Sequence, residues 1–152
     1  MDWWQHAIMG VIYATPFLLL AWWLDSALIG ALDVIALLAY DIPDQDARKV
    51  RRKDVPFTTK ETKHRHWFWH SSILPIAAFL AAVHAGQFAG VGTFCAVIAS
   101  HLLSDIKFRG GKAGYYCIYL RHGSRMSARG TDLYLAANGL ICILLGVFSL
   151  FL

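Results

Sequence analysis

Residues 133–152 read LYLAANGLICILLGVFSLFL, a run without a single Lys, Arg, Asp, Glu or His. At 1.5 Å per residue, about 20 such residues in a helix cross the roughly 30 Å hydrocarbon core of a bilayer. Residues 7–24, AIMGVIYATPFLLLAWWL, have the same character. Shorter apolar runs occupy 26–40, 68–83 and 88–105, the last two joined by His84-Ala85-Gly86-Gln87. The first run has no basic stretch before it and no small-residue cleavage site after it, so it reads as a retained helix rather than a signal peptide.

Charge placement sets the topology. The Lys and Arg residues fall in two windows, Arg48 to Arg65 and Lys107 to Arg129. The turns near Asp25 and near His84 carry none. Cytoplasmic loops collect Lys and Arg, which places both basic windows and the N-terminus inside. The expectation is an all-α, polytopic integral membrane bundle of about five spans, a single domain over residues 1–152. Its spans lie near 7–24, 26–40, 68–83, 88–105 and 132–152, with basic cytoplasmic loops at 41–66 and 106–131. Localisation follows as a plasma membrane, multi-pass with a cytoplasmic N-terminus.

Composition excludes other classes. With 57% hydrophobic and 16% charged residues and a mean hydropathy of +0.47, the chain is more apolar than a typical soluble domain. It is neither a disordered tail nor a coiled coil. Cys95, Cys117 and Cys142 are odd in number and form no CxxC pair, so no disulfide framework is expected. The net charge of +4 is confined to juxtamembrane windows, where Lys and Arg fix orientation and touch anionic lipid; a nucleic-acid partner is not expected.

The acids and histidines gather at the ends of the apolar runs. Asp41, Asp44 and Asp46 follow the second, His64, His66 and His70 precede or open the third, His101 and Asp105 close the fourth, and Asp132 opens the fifth. His6 begins the first. With this topology they share one water–lipid boundary, and five helix ends at one face can build one pocket. His66/His70 and His101/Asp105 are both spaced i, i+4, which on a helix sets side chains on one face about 5–6 Å apart. Two side chains so placed can converge on a metal at roughly 2.0–2.2 Å. Imidazoles mixed with carboxylates suit zinc or manganese.

Plainer roles compete. Trp67 and Trp69 beside the histidines fit an aromatic belt, and Gly130-Thr131-Asp132 fits an N-terminal cap of the last helix. Asp33 is a carboxylate inside a span, which is costly and points to function. Together with His84 it favours a non-enzymatic alternative, a small metal or proton carrier or a partner-binding subunit. The discriminator is depth, because an enzyme keeps its ligands in one layer and a carrier strings them across the bilayer. Gly86, Gly90 and Gly92 with Ala77, Ala78, Ala81, Ala82 and Ala85 allow close helix approach, within the chain or in a homo-oligomer.

In order, Pro43-Asp44-Gln45-Asp46, His66 to Ser71, Ser100-His101-Leu102-Leu103-Ser104-Asp105 and Gly130-Thr131-Asp132 resemble the bacterial LexA-regulated, YdjM-like membrane-bound metal-dependent hydrolases. The resemblance covers about residues 6–145. It departs at Ala47, where the family has His, at Trp67-Phe68-Trp69 between the histidines, and at Asp132, where Glu is more usual. The family pattern is similar to the helical zinc-dependent phospholipase C group, which implies phosphoester hydrolysis by two or more divalent ions, zinc foremost. On this reading His66, His70, His101 and Asp105 ligate, Asp44 and Asp46 bridge, and His6 joins them through the resemblance. Asp41 or Asp132 serves as general base, and Arg121, Arg125 and Arg129 steady the phosphate, Arg125 counting among the catalytic residues as well. A site at the lipid boundary makes a lipid phosphate or lipid-linked phosphoester the expected substrate.

Overall fold

The computed structural model describes residues 3–23, 32, 34–43, 67–86, 88, 90–106, 118 and 126–152. Among them the chain is helical, with no strand. Helix α1 spans Trp3–Trp23, and residues 34–37 are helical and tighten into a 3-10 turn at Leu38–Asp41. Helices α2 (Ile73–Ala85), α3 (Val91–Ser104) and α4 (Ala128–Phe148) follow.

Burial ranks the helices. From Gly92 to Leu102 every residue of α3 except Phe94 is buried, so α3 is the central helix, apolar nearly all round because it is enclosed nearly all round. Helices α1 and α4 are its main partners. On α4 the buried positions are Thr131, Leu135, Gly139, Cys142 and Gly146, one stripe at the helical period. Its outward face carries Leu133, Leu140, Leu144, Val147 and Phe148, from 44% to 70% exposed. On α1, Ile8, Val11, Ile12, Leu19 and Trp23 are likewise half exposed or more. The bundle thus buries Val97, Ile98, Leu102 and Leu135 between its helices and also exposes bulky apolar side chains on the outer faces of α1 and α4. Soluble monomers rarely expose apolar surface this contiguous.

Glycines let the three helices touch. A Cβ at Gly139 would come within 2.7 Å of Leu103, and one at Gly92 would meet the Phe17 ring and lie 2.7 Å from Ser149 Oγ. Because Gly139 pairs with Leu103 while Gly146 faces Gly92, α3 and α4 run antiparallel. Gly92→Leu is therefore expected to lower the thermal midpoint in detergent, at a cost of about 1–3 kcal/mol typical of overpacking. An unchanged midpoint would show that α1 can move aside. The α2–α3 connection begins and ends with positive φ, at Gly86 (62°) and Gly90 (78°), a left-handed conformation that glycine takes without strain.

Element boundaries differ from the sequence expectation in informative ways. The helix expected from 68 begins at Ile73, because residues 67–70 form a turn. The helix expected from 132 begins at Ala128, capped by Ser127, whose Oγ accepts from the Gly130 N–H at 3.1 Å. Thr131 is not a cap; its Oγ1 accepts from the buried Ile118 N–H, and Ile118 O accepts from Met126 N–H, tying part of the second basic window to the end of the bundle. Among the described residues one helix, α4, is long and apolar enough to cross a membrane. Helices α2 and α3, with 13 and 14 residues, are shorter than that length.

Candidate metal centre

Helix α3 ends in the sequence His101-Leu102-Leu103-Ser104, and Asp105 caps it, its N–H donating to His101 O. One helical turn therefore brings the His101 imidazole over the Asp105 carboxylate, with His101 Nε2 3.8 Å from Asp105 Oδ2. His70 arrives from a different element. It closes the turn 67–70, ahead of the Ser72 cap of α2, and its Nε2 lies 3.9 Å from the same Asp105 Oδ2. The two imidazole rings meet at 63° with centroids 5.8 Å apart.

All three side chains are buried, at 0%, 1% and 3% exposure for His70, His101 and Asp105. Each offers one ligand atom, and these atoms lie within 4.8 Å of one another. Separations of 3.8 and 3.9 Å are too long for hydrogen bonds. They exceed by about half an ångström the ~3.4 Å edge of a tetrahedron built on 2.0–2.1 Å bonds. Small side-chain rotations close that difference. Two imidazoles and a carboxylate in a water-poor site form a donor set suited to zinc or another borderline divalent cation, so the residues fit a metal ion. Among the described residues neither a thiolate nor a fourth protein ligand joins the group, and a site with three protein ligands leaves room for water or substrate.

The turn carrying His70 is stiffened from within and from outside. Trp67, Phe68 and Trp69 pack edge to face, with centroids 6.0 and 5.2 Å apart; such contacts contribute about 0.5–1.5 kcal/mol each. Ser71 Oγ donates to Phe68 O at 2.7 Å. From α4, Tyr134 OH donates to Trp67 O at 2.9 Å, and Asn138 Oδ1 accepts from Ser72 N–H at 2.8 Å and Ser72 Oγ–H at 2.9 Å. Tyr134 and Asn138 were not among the residues singled out from sequence. Their signal was there: two hydrogen-bonding side chains spaced i, i+4 inside an apolar run.

The remaining sequence candidates divide clearly. His70, His101 and Asp105 are brought together. The proposed His66/His70 pair on one helical face is corrected, since 67–70 is a turn rather than a helix; His66 itself lies outside the described residues. So do Asp44, Asp46, Arg121 and Arg125, and Asp33. His6 lies in the first turns of α1 and Asp41 at the end of the 3-10 turn. Asp132 is half-buried in α4 and outside the three-residue group, and Arg129 is exposed in the first turn of α4. His84 is exposed in the last turn of α2. Comparison with family models, with curated proteins and with solved structures found no match.

Proposed function

We propose that this chain is a multi-pass membrane protein of the LexA-regulated, YdjM-like hydrolase kind, cleaving a phosphoester of a lipid or lipid-linked substrate at the cytoplasmic face. The observation that carries the reading is the buried His70–His101–Asp105 group, whose members come from two separate elements and share one oxygen, Asp105 Oδ2. A divalent cation held by His70, His101 and Asp105 would supply Lewis acidity toward a phosphoester and would acidify a water bound to it.

Depth supports the lipid substrate. Trp67 and Ser72, which bracket His70, bond to Tyr134 and Asn138, and Leu103, between His101 and Asp105, packs on Gly139. The cluster therefore sits level with Tyr134–Gly139, about 2–9 Å in from Leu133 at the start of the apolar run. A phosphate at the headgroup level reaches that depth with its acyl chains still in lipid. The basic windows favour the cytoplasmic face for this end of the bundle. Arg129, exposed where α4 begins, lies on the side from which an anionic headgroup would approach. Asp41 or Asp132 remains the proposed base, and Asp44, Asp46, His66 and His6 complete the proposed ligand set for a second ion.

Depth also weighs against the carrier alternative. A carrier needs ionisable groups through the bilayer; among the described residues the buried imidazoles and carboxylates are the three of this one cluster and His84 is exposed, while Asp33 lies outside the described residues.

Elemental analysis of the detergent-purified protein is expected to find zinc or manganese at one ion per chain or more. Phosphate release from mixed micelles containing phosphatidic acid is expected to stop on chelation and resume on readdition of metal. Metal without any release would leave the site and remove the hydrolase; no bound metal would remove both.

A further inference from the structure

The most distinctive polar contacts outside the cluster lie on α4. Tyr134 and Asn138 are one helical turn apart, and each sends its polar atoms to the turn that carries His70. Tyr134 OH holds Trp67 O, three residues before His70; Asn138 Oδ1 holds Ser72 N–H and Oγ–H, two residues after it. The second half of the amide is fixed too, because Asn138 Nδ2 donates to Tyr134 O at 2.9 Å. The Ser72 N–H can only donate, so the oxygen of Asn138 must face it. These bonds tie the turn to α4.

The same helix sets the other half of the cluster. Gly139, next to Asn138, takes Leu103 against its backbone, and Leu103 lies between His101 and Asp105. One stretch of α4 thus holds both halves of the site in register. We infer that Tyr134 and Asn138 are positioning residues of the metal centre: by clamping the 67–72 turn they fix the approach of His70 to Asp105. This inference rests on the metal-binding reading above. Groups that orient metal ligands usually bond the ligand side chain directly; here the clamp acts through the backbone of the ligand's own turn.

The test uses the full chain in detergent with Co²⁺ as the probe, read by affinity in competition with a chelator and by the visible absorption of the bound ion. Asn138→Ala is expected to weaken Co²⁺ binding roughly 10–100-fold, the range seen when outer partners are removed, and to alter the absorption. Tyr134→Phe, which deletes one hydroxyl, should move both in the same direction by less. Asn138→Asp keeps an acceptor facing Ser72 but sets its second oxygen against Tyr134 O, and is expected to recover part of the affinity and to shift the absorption back toward wild type. Leu140→Ala, on the exposed face of the same helix, should change neither. A purely structural role would lower the metal-free thermal midpoint and leave affinity and absorption unchanged, which overturns the inference while keeping the metal centre. Wild-type protein that binds no Co²⁺ overturns both. Should Asn138→Ala fail to fold, Tyr134→Phe decides: unchanged affinity and absorption overturn the clamp.

Discussion

Asp105→Ala is expected to strip the protein of its metal while leaving the metal-free fold at least as stable as wild type. Asp105 Oδ2 is the shared vertex of the cluster, 3.9 Å from one imidazole nitrogen and 3.8 Å from the other. Its loss removes a ligand and the negative charge that draws a cation to the site. The fall in affinity should exceed the roughly 10–100-fold typical of an outer partner. Stability should respond with the opposite sign. A carboxylate only 3% exposed is costly to bury without a cation beside it, and in the metal-free protein its removal takes that cost away. In the wild type a ligand that binds only the folded state stabilises by about 2.7 kcal/mol at one hundred times its Kd. The thermal midpoint of wild-type protein should therefore rise on adding zinc, and that of Asp105→Ala should not. Equal rises in the two proteins would place the metal elsewhere. A midpoint for metal-free Asp105→Ala far below wild type would mean that the carboxylate serves packing rather than coordination.

How much of this was legible beforehand varied with how local the signal was. The His101/Asp105 pair depends on a single helical turn, and the i, i+4 spacing delivered it because residues 91–104 are helical. His70 is in the group for a different reason from the one its spacing suggested. The His66-to-His70 period implied a helix, but the helix starts at Ile73, and His70 is delivered by a turn whose position is decided by Tyr134 and Asn138, more than sixty residues away. Contacts at that sequence distance leave no periodic trace. Asn138 in turn was absorbed into an apolar run, where hydropathy averages over the one amide that matters. The start of α4 misled in the opposite sense: Gly130-Thr131-Asp132 has the composition of a cap, yet Ser127 caps the helix and Thr131 bonds to Ile118. The all-helical character was visible throughout. The shortness of α2 and α3 was not, because Phe68, Trp69 and Phe88 are as apolar as the helices they flank.

Lysine scanning along the outward face of α4 should separate a bilayer from water as the medium around this bundle. Leu144 is 49% exposed and near the middle of the apolar run, and Leu133 is 70% exposed at its start. In lipid a charged side chain at mid-depth costs about 2.5–3.5 kcal/mol by insertion measurements, a shift of roughly a hundredfold or more in the insertion equilibrium. Near the boundary a lysine extends its ammonium to the headgroups and keeps its methylenes in the apolar layer. Leu144→Lys is therefore expected to abolish recovery of the protein in carbonate-washed membranes, with Leu133→Lys recovered at close to the wild-type level. In water the two substitutions would behave alike: an exposed leucine replaced by lysine changes stability within about 0.5 kcal/mol and improves solubility. Equal recovery of both variants in the membrane fraction, or of both in the soluble fraction, would remove the bilayer from around α4. The phosphate-bearing lipid proposed as substrate would go with it, since the depth of His70, His101 and Asp105 relative to Leu133 is what brings a headgroup to them.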